Sequence, residues 1–559
     1  MKRKMSKIPL VGFLVFFVLT LLFNDGSLRK EKAHAHDEAV PIQENLGGYT
    51  YPISTTVPLA QRYFDQGLVL SYGFNHAEAG RSFREAARQD SNCAMCYWGE
   101  ALVLGPNINA PMSDSAVPQA YSAVQKALSL SKKATEKEIA LIKALGNRYA
   151  KKAVKDRTHL DEAYAQAMRE VYKRFPDDEV IGSLMAEALM DLHPWDFWTK
   201  SGEARPWTHE IVTTLEGVLE KAPNNPLANH LYIHAVEASP NPERALPSAK
   251  RLATLVPGSG HLVHMPAHIY IRVGRYRDAA VANQNAVKID QHYLSHSHVE
   301  SIYTSAYVPH NYHFLWAAAI KTGQKKLAMQ AARETAAQVN PEAMRDPGFA
   351  GTLQHFWLIP LYTEALFGQW SDILQEREPP ADLLYPRGIW HYARGLAFLR
   401  QGKTNRAEVE LIKLNEIISN PEIADLKIFD LNEVTKILKI AKAVLEGEIA
   451  ADQKDYQSAV IHLKRAIEEE DGLNYTEPKD WYLPPRQVLG AVLLMDGKAA
   501  HAEEVYREDL RYHPQNGWSL YGLVQALRAQ GKTQEAEVAQ EQFNLAWADA
   551  DVTLASSRF

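Results

Sequence analysis

Small residues recur along this chain at a spacing that few folds tolerate. Gly368 and Gly402 lie 34 residues apart, and so do Gly497 and Gly531. Gly402, Gly497 and Gly531 are each followed by an alanine on the next helical stretch, Ala407, Ala502 and Ala536. Between these marks the apolar residues follow the 3.6-residue period of amphipathic helices. Small side chains at fixed places mean that two helices of a pair cross closely, because anything larger would push them apart. A chain of 559 residues exceeds one compact core, and a stacked array of such pairs accounts for the length.

The clearest unit starts at Gly260. Ala267 and Tyr270 pack within its first helix, Gly274 turns the chain, Tyr276 and Ala279 open the second helix and Ala286 closes it. The unit before it starts 34 residues earlier at Pro226, with Ala245 at the crossing and Pro257 ending the second helix. Ala79, Phe83 and Ala86 repeat the register ahead of a unit beginning at Ala94, and Gly447 with Ala459 and Ala466 marks another. This pattern resembles the tetratricopeptide repeat, and the resemblance covers residues 60 to 550 or so. It implies an all-α solenoid of tandem helix-turn-helix repeats wound into a superhelix, an architecture that hosts many roles. Stretched spacings at 191–203, 292–307 and 341–353 read as inserted loops. The phrases NHAEAGRSFREA, CAMCYWGEA, HPWDFW, HLYIHAVEAS and GHLVHMPAHIYIRVGRY also resemble large exported bacterial proteins of this repeat type. That likeness implies lineage and no chemistry.

The N-terminus differs in kind. Lys2, Arg3, Lys4 and Lys7 lead into an apolar run from Ile8 to Phe23, the pattern of an export signal. At 1.5 Å per residue the run spans roughly 24 Å, short of a hydrocarbon core of about 30 Å. Ala33-His34-Ala35 is a small-x-small site far beyond the run, so a cleaved signal and an uncleaved membrane anchor both stay open. Either places the rest of the chain outside the cytoplasm, in the periplasm or facing the exterior. The organisation expected is a signal or anchor at 1–25, a linker at 26–55, N-terminal repeats at 56–225, central histidine-rich repeats at 226–400 and C-terminal repeats at 401–559. A formal net charge of -6 gives no basic footprint for nucleic acid.

The family resemblance implies that positions two, five, nine and twelve of each first helix face the concave surface. In the unit from Pro226 these carry His230, His234 and Glu237, and in the next unit His261, His264 and His268. His310 and His313 follow from the unit at Pro309, and His355 from the one after. Eight of the 21 histidines therefore fall on groove positions in four successive units. Imidazoles from neighbouring helices can converge on one cation, and outside the cytoplasm Zn or Cu suits such a set; His230, His234, His264, His268, His310 and His313 are the candidate ligands. A groove for a protein, a peptide or a small polar ligand fits the same residues, and so does plain packing. Pro266 cannot donate to the carbonyl of Leu262, so a kink there threatens to turn His261 off the shared face.

Other signals are weaker. Cys93 and Cys96, the only cysteines, form a C-x-x-C at a helix start, which leaves a local disulfide, packed thiols or metal ligation open. Glu187, Asp191, His193, Trp195 and Trp198 cluster around the insertion DLHPWDFW, where a loop could fold over the groove beside His230. The GKT triplets at 402–404 and 531–533 lack the leading glycine of a phosphate loop, since Ala397 and Ala526 stand there. No hydrolase or nucleotide motif appears in a fitting context. The leading reading is an exported scaffold that binds a partner or ligand, and the alternative is a metal-binding protein or metalloenzyme. A reporter fused after residue 60 should be active only outside the cytoplasm; activity confined to the cytoplasm would remove the export reading.

Overall fold

Many of the repeat turns are set by a residue with positive φ between one helix and the next. Gly274, Gly368, Gly402, Gly497 and Gly531 all sit there with φ of 67–77°, a region closed to most side chains. In the computed structural model, which describes residues 40–559 except 298, 300 and 347, these tight turns fold successive helices back on one another from Pro58 to Ala546. The result is an all-α solenoid of tetratricopeptide-type helix pairs. The apolar run at residues 8–23 lies outside the described residues. Among the described residues no helix is long and apolar enough to cross a membrane.

The crossing alanines behave as the spacing requires: Ala79, Ala245, Ala279, Ala407, Ala459 and Ala502 are wholly buried. Gly447 is not a turn. It lies inside the helix Val434–Asp452, where an added Cβ would stand 2.7 Å from Leu463, and Lys454 takes the positive φ instead. Tyr506 shows how tight the fit becomes. Its buried ring is held between Gly490 and Gly522 of the flanking helices, and a Cβ on either would lie 2.4 or 2.2 Å from it.

The three expected insertions are present. Residues 192–207 form a loop closed by a bridge between Trp198 and Ala204, a long helix Tyr276–His296 leads to a π-turn at Tyr303–Tyr307, and a short 3-10 turn stands at Ala343–Arg345. Two more loops depart from the repeat spacing. One carries a two-residue antiparallel ladder, Lys427–Ile428 against Asn432–Glu433. The other, 472–484, reaches into the interior, where the Arg272 guanidinium lies over the Tyr475 ring. Residues 40–55, expected as linker, instead pack on the first repeat. Tyr63 donates to the Val40 carbonyl, and the Gln43 and Tyr51 amides donate to Gln66 and Asp65.

The winding brings distant repeats into contact. Trp518 donates its indole N–H to the Ile320 carbonyl at 2.8 Å, and the Asp551 carboxylate accepts from the amides of Lys325 and Lys326. Gly274 approaches Pro514 so closely that a Cβ would meet its carbonyl at 2.4 Å. The C-terminal repeats therefore close over the central ones.

Replacing Gly490 by Ala should cost about 1–3 kcal/mol of unfolding free energy, because the methyl group overpacks against a ring that cannot retreat. Ile461, 61% exposed, should tolerate alanine within about 0.5 kcal/mol. Denaturant unfolding followed by helical dichroism compares the two, and equal small losses would mean that the crossing is looser than the geometry shows.

Candidate metal centre

Six helices meet where the histidines gather, labelled here α1 (Pro58–Tyr72), α2 (Pro226–Glu237), α3 (Gly260–His264), α4 (Pro266–Arg272), α5 (Tyr276–His296) and α6 (Val308–Lys321). Asn225 caps α2 by accepting from the Ala228 amide, and Pro226 presets its first turn. His230, His234 and Glu237 then share one face at i, i+4 and i+7. Gly260 opens α3 because the Asp290 carboxylate occupies the space a Cβ would need, 2.0 Å away. Pro266 does break the helix, but Met265 stays in the helical region (φ -50°, ψ -36°), so α4 continues nearly in line. His261 consequently remains on the inner face.

The histidines form two adjoining groups of three. The donor atoms of His230, His234 and His261 all lie within 4.8 Å of one another, and so do those of His264, His268 and His310. One carboxylate joins the groups. Glu237 accepts from His234 Nδ1 at 2.9 Å through one oxygen and from His268 Nδ1 at 2.5 Å through the other. All but half-buried His310 are buried at 0–2% exposure.

These partners fix which nitrogen of each ring carries the proton. His230 Nδ1 faces the Tyr72 carbonyl at 2.7 Å, which can only accept. His264 Nδ1 faces Asn283 Oδ1 at 2.7 Å, and Asn283 is oriented by giving its own N–H to the Ala279 carbonyl at 2.8 Å. Wherever one of these rings carries a single hydrogen, Nδ1 holds it and Nε2 is a bare lone pair. Yet His264 Nε2 and His268 Nε2 stand 2.9 Å apart, and His230 Nε2 is 3.2 Å from His261 Nε2. His234 Nε2 is buried with no partner. Two lone pairs cannot bond each other, so the His264–His268 contact calls for a proton or a metal ion between them.

A second proton is disfavoured on most of these rings. Burial first, and neighbouring imidazoles second, push His230, His261, His264 and His310 well below the ordinary histidine range. Burial also lowers His234, partly offset by Glu237. Burial raises Glu237, but the facing rings outweigh it and hold the carboxyl at about 2.

Aromatic rings wall the two groups. Phe74 lies 4.6 Å from His230, Tyr307 4.8 Å from His261, and Phe314 4.6 and 4.4 Å from His264 and His268. Trp195 stands edge-on to His234 at 5.1 Å. Asn109 ties two of these walls together, accepting from the Trp195 indole at 3.1 Å and donating to the Tyr307 hydroxyl at 3.0 Å. Phe74 and Trp195 both adopt left-handed backbone, φ 57° and 62°, a conformation that costs roughly 1–2 kcal/mol in a residue with a side chain.

Not every residue singled out in the sequence joins them. His313 stacks on Trp316 and meets His355 edge-on, with both its ring nitrogens unpartnered, while His355 Nδ1 bonds the Tyr385 hydroxyl. His193 stacks on Trp207 with centroids 3.6 Å apart, and Trp198 donates to the Ala235 carbonyl. Glu187 belongs with Asp191 and Arg148 instead. Burial pushes Glu187 to about 8 and Asp191 to about 6, although Arg148 donates to Asp191 at 2.6 Å. Cys93 and Cys96 are joined as a disulfide at the start of the helix Ala94–Val103. Asn283, Asn109, Phe74, Tyr307 and Phe314 carried no signal of their own; only the left-handed turn after Gly73, filled by a phenylalanine, departs from the repeat.

Behind the first group, Asp290 accepts from Tyr303 at 2.8 Å and from Asn311 at 2.7 Å, and Tyr303 accepts the His261 amide. Burial lifts the Asp290 carboxyl to about 6 despite these donors. Its folded value lies above the unfolded value of about 3.9, so its stabilisation is full below pH ~4 and is lost as pH rises through 6. The difference in unfolding free energy between the native chain and Asp290→Asn should change across that window and stay flat at higher pH. A difference that is level from pH 4 to 7 would contradict the raised value.

No family model matches the chain, and no curated protein matches it. Three solved structures illustrate its matches. A human IFIT1 dimer with m7Gppp-AAAA is 14% identical, covering 89% of this chain and 92% of its own, at a TM-score of 0.30. The Cut9–Hcn1 hetero-tetramer of the APC/C is 11% identical over 88% of each chain at 0.28, and the P58(IPK) TPR domain is 11% identical over 85% and 99% at 0.21. At these scores the likeness carries no argument about what this chain binds, and its repeat architecture rests on its own helix pairs.

Proposed function

We propose that this chain is a repeat scaffold whose interior holds a pair of transition-metal ions, zinc or copper, one in each three-histidine group. The observation that carries the reading is the 2.9 Å contact between the Nε2 atoms of His264 and His268, whose protons are already committed on Nδ1. An ion removes the lone-pair repulsion and gains two ligands. His310 completes that set, and His230, His234 and His261 offer a second. Glu237, Asn283 and the Tyr72 carbonyl act behind the ligands, orienting the rings and strengthening them as donors.

Imidazole is the ligand type that zinc and copper share, and three protein nitrogens leave a fourth position free on each ion. An exported location, read from the N-terminal cations and apolar run, suits such a site because it lies away from cytoplasmic competition for these metals. A scaffold that binds a protein or peptide on its outer turns is compatible with the same interior. Its ligands then play no part in the histidine cluster.

The test is metal content. Purified full-length protein, refilled with zinc or copper and dialysed, should retain close to two ions per chain by elemental analysis. The double variant His234→Ala, His268→Ala removes one ligand from each group and should lose at least nine-tenths of the bound metal with the helical dichroism retained. Retention of metal by that variant, or native protein that holds none after refilling, would sink the proposal.

A further inference from the structure

Resting on the metal reading above, we infer that the paired groups hold copper(I) and that their ligand is dioxygen, taken up between the two ions as peroxide. The first argument concerns charge. Six imidazoles and one carboxylate, Glu237, make up the cluster. The Arg272 guanidinium, which donates to the Glu237 and Ser239 carbonyls, adds a positive charge at the edge. Little negative charge is therefore available to offset incoming ions. Two divalent ions bring twice the charge of two monovalent ions, and their mutual repulsion is about fourfold greater at equal distance. In a buried site lined by aromatic rings that difference is costly. Copper(I) is the monovalent ion that accepts three imidazole nitrogens.

The second argument concerns how near the ions must be. One carboxylate reaches a ring of each group, the His234 and His268 centroids are 5.2 Å apart, and the His261 and His264 centroids 5.6 Å apart. Ions held about 2 Å from these nitrogens would then be neighbours, which is what a shared diatomic ligand requires. The third argument concerns access. Phe74, Tyr307, Trp195 and Phe314 close around the rings, and the Trp195–Asn109–Tyr307 hydrogen bonds tie that wall shut. A small apolar molecule passes through packed aromatic side chains far more readily than a hydrated solute.

The step balances without help from outside. Each copper(I) gives up one electron and becomes copper(II), dioxygen gains two electrons, and the oxygen–oxygen double bond becomes the single bond of peroxide. No proton enters. Two positive charges before binding remain two afterwards, because the two new charges on copper are matched by two on peroxide, so the buried site meets no change in total charge.

The experiment loads the full-length chain with copper(I) under nitrogen, counts the metal, and then admits air. Two coppers per chain are expected, followed by an intense near-ultraviolet charge-transfer band that grows with oxygen. The oxidised sample should give no paramagnetic copper resonance, since two adjacent copper(II) ions couple. His310→Gln, altered at the half-buried ligand, should hold one copper and lose the band. Two coppers with no oxygen-dependent band, or a resonance accounting for both as isolated copper(II), overturns this inference while leaving the metal reading intact. A chain that takes up no copper but binds two zinc ions overturns it as well. A chain that takes up neither metal fails the earlier proposal instead.

Discussion

The close crossing of paired helices at alanine and glycine is the contact on which everything else here depends. It lets adjacent repeats approach until their backbones nearly touch, and only a tightly packed array winds sharply enough for its far end to meet its middle. With bulkier residues at Ala245, Ala279 or Gly490 the coil would open, and α2, α4 and α6 would no longer face one another across a filled interior. The burial of the histidines is thus a consequence of residues that carry no chemistry. Burial in turn strips the rings of water, so that each nitrogen must find a protein partner or an ion.

Much of this was legible in the sequence because helix phase is local. The repeat resemblance assigns the positions of His230, His234, His261, His264, His268 and His310 to inner faces, a rotation of 100° per residue allows it, and the structure gathers these six. Phase says which way a side chain leaves its helix and nothing about what it meets. His313 leaves α6 at a similar angle and stacks on Trp316, because the next helix brings Phe356 and His355 to that depth. Glu187 lies just before, and His193 within, an insertion whose path no periodicity describes. The expected kink at Pro266 is real, yet harmless to His261, because a single residue in helical geometry carries the axis through.

What the sequence withheld is the set of groups that decide protonation. Asn283 is an ordinary polar residue on a second helix, and the Tyr72 carbonyl is backbone, more than 150 residues from the ring it orients. Both are found by packing alone. Of the walls, Phe74, Trp195 and Tyr307 come from separate segments that share no pattern, and one asparagine side chain joins two of them.

The contacts of Trp518 with Ile320 and of Asp551 with the start of the next helix have a further meaning for how the chain assembles. Repeat arrays commonly behave as one-dimensional stacks, each unit stabilised by its neighbours, and they gain or lose units with little effect on the remainder. Here the central and last coils hold each other, which an open spring does not allow. These coils must find each other across about 200 residues before the closing contacts form, which makes the final step of folding a slow search rather than a zipping. It also means that the contacts over the central repeats form only once the last repeats are in place.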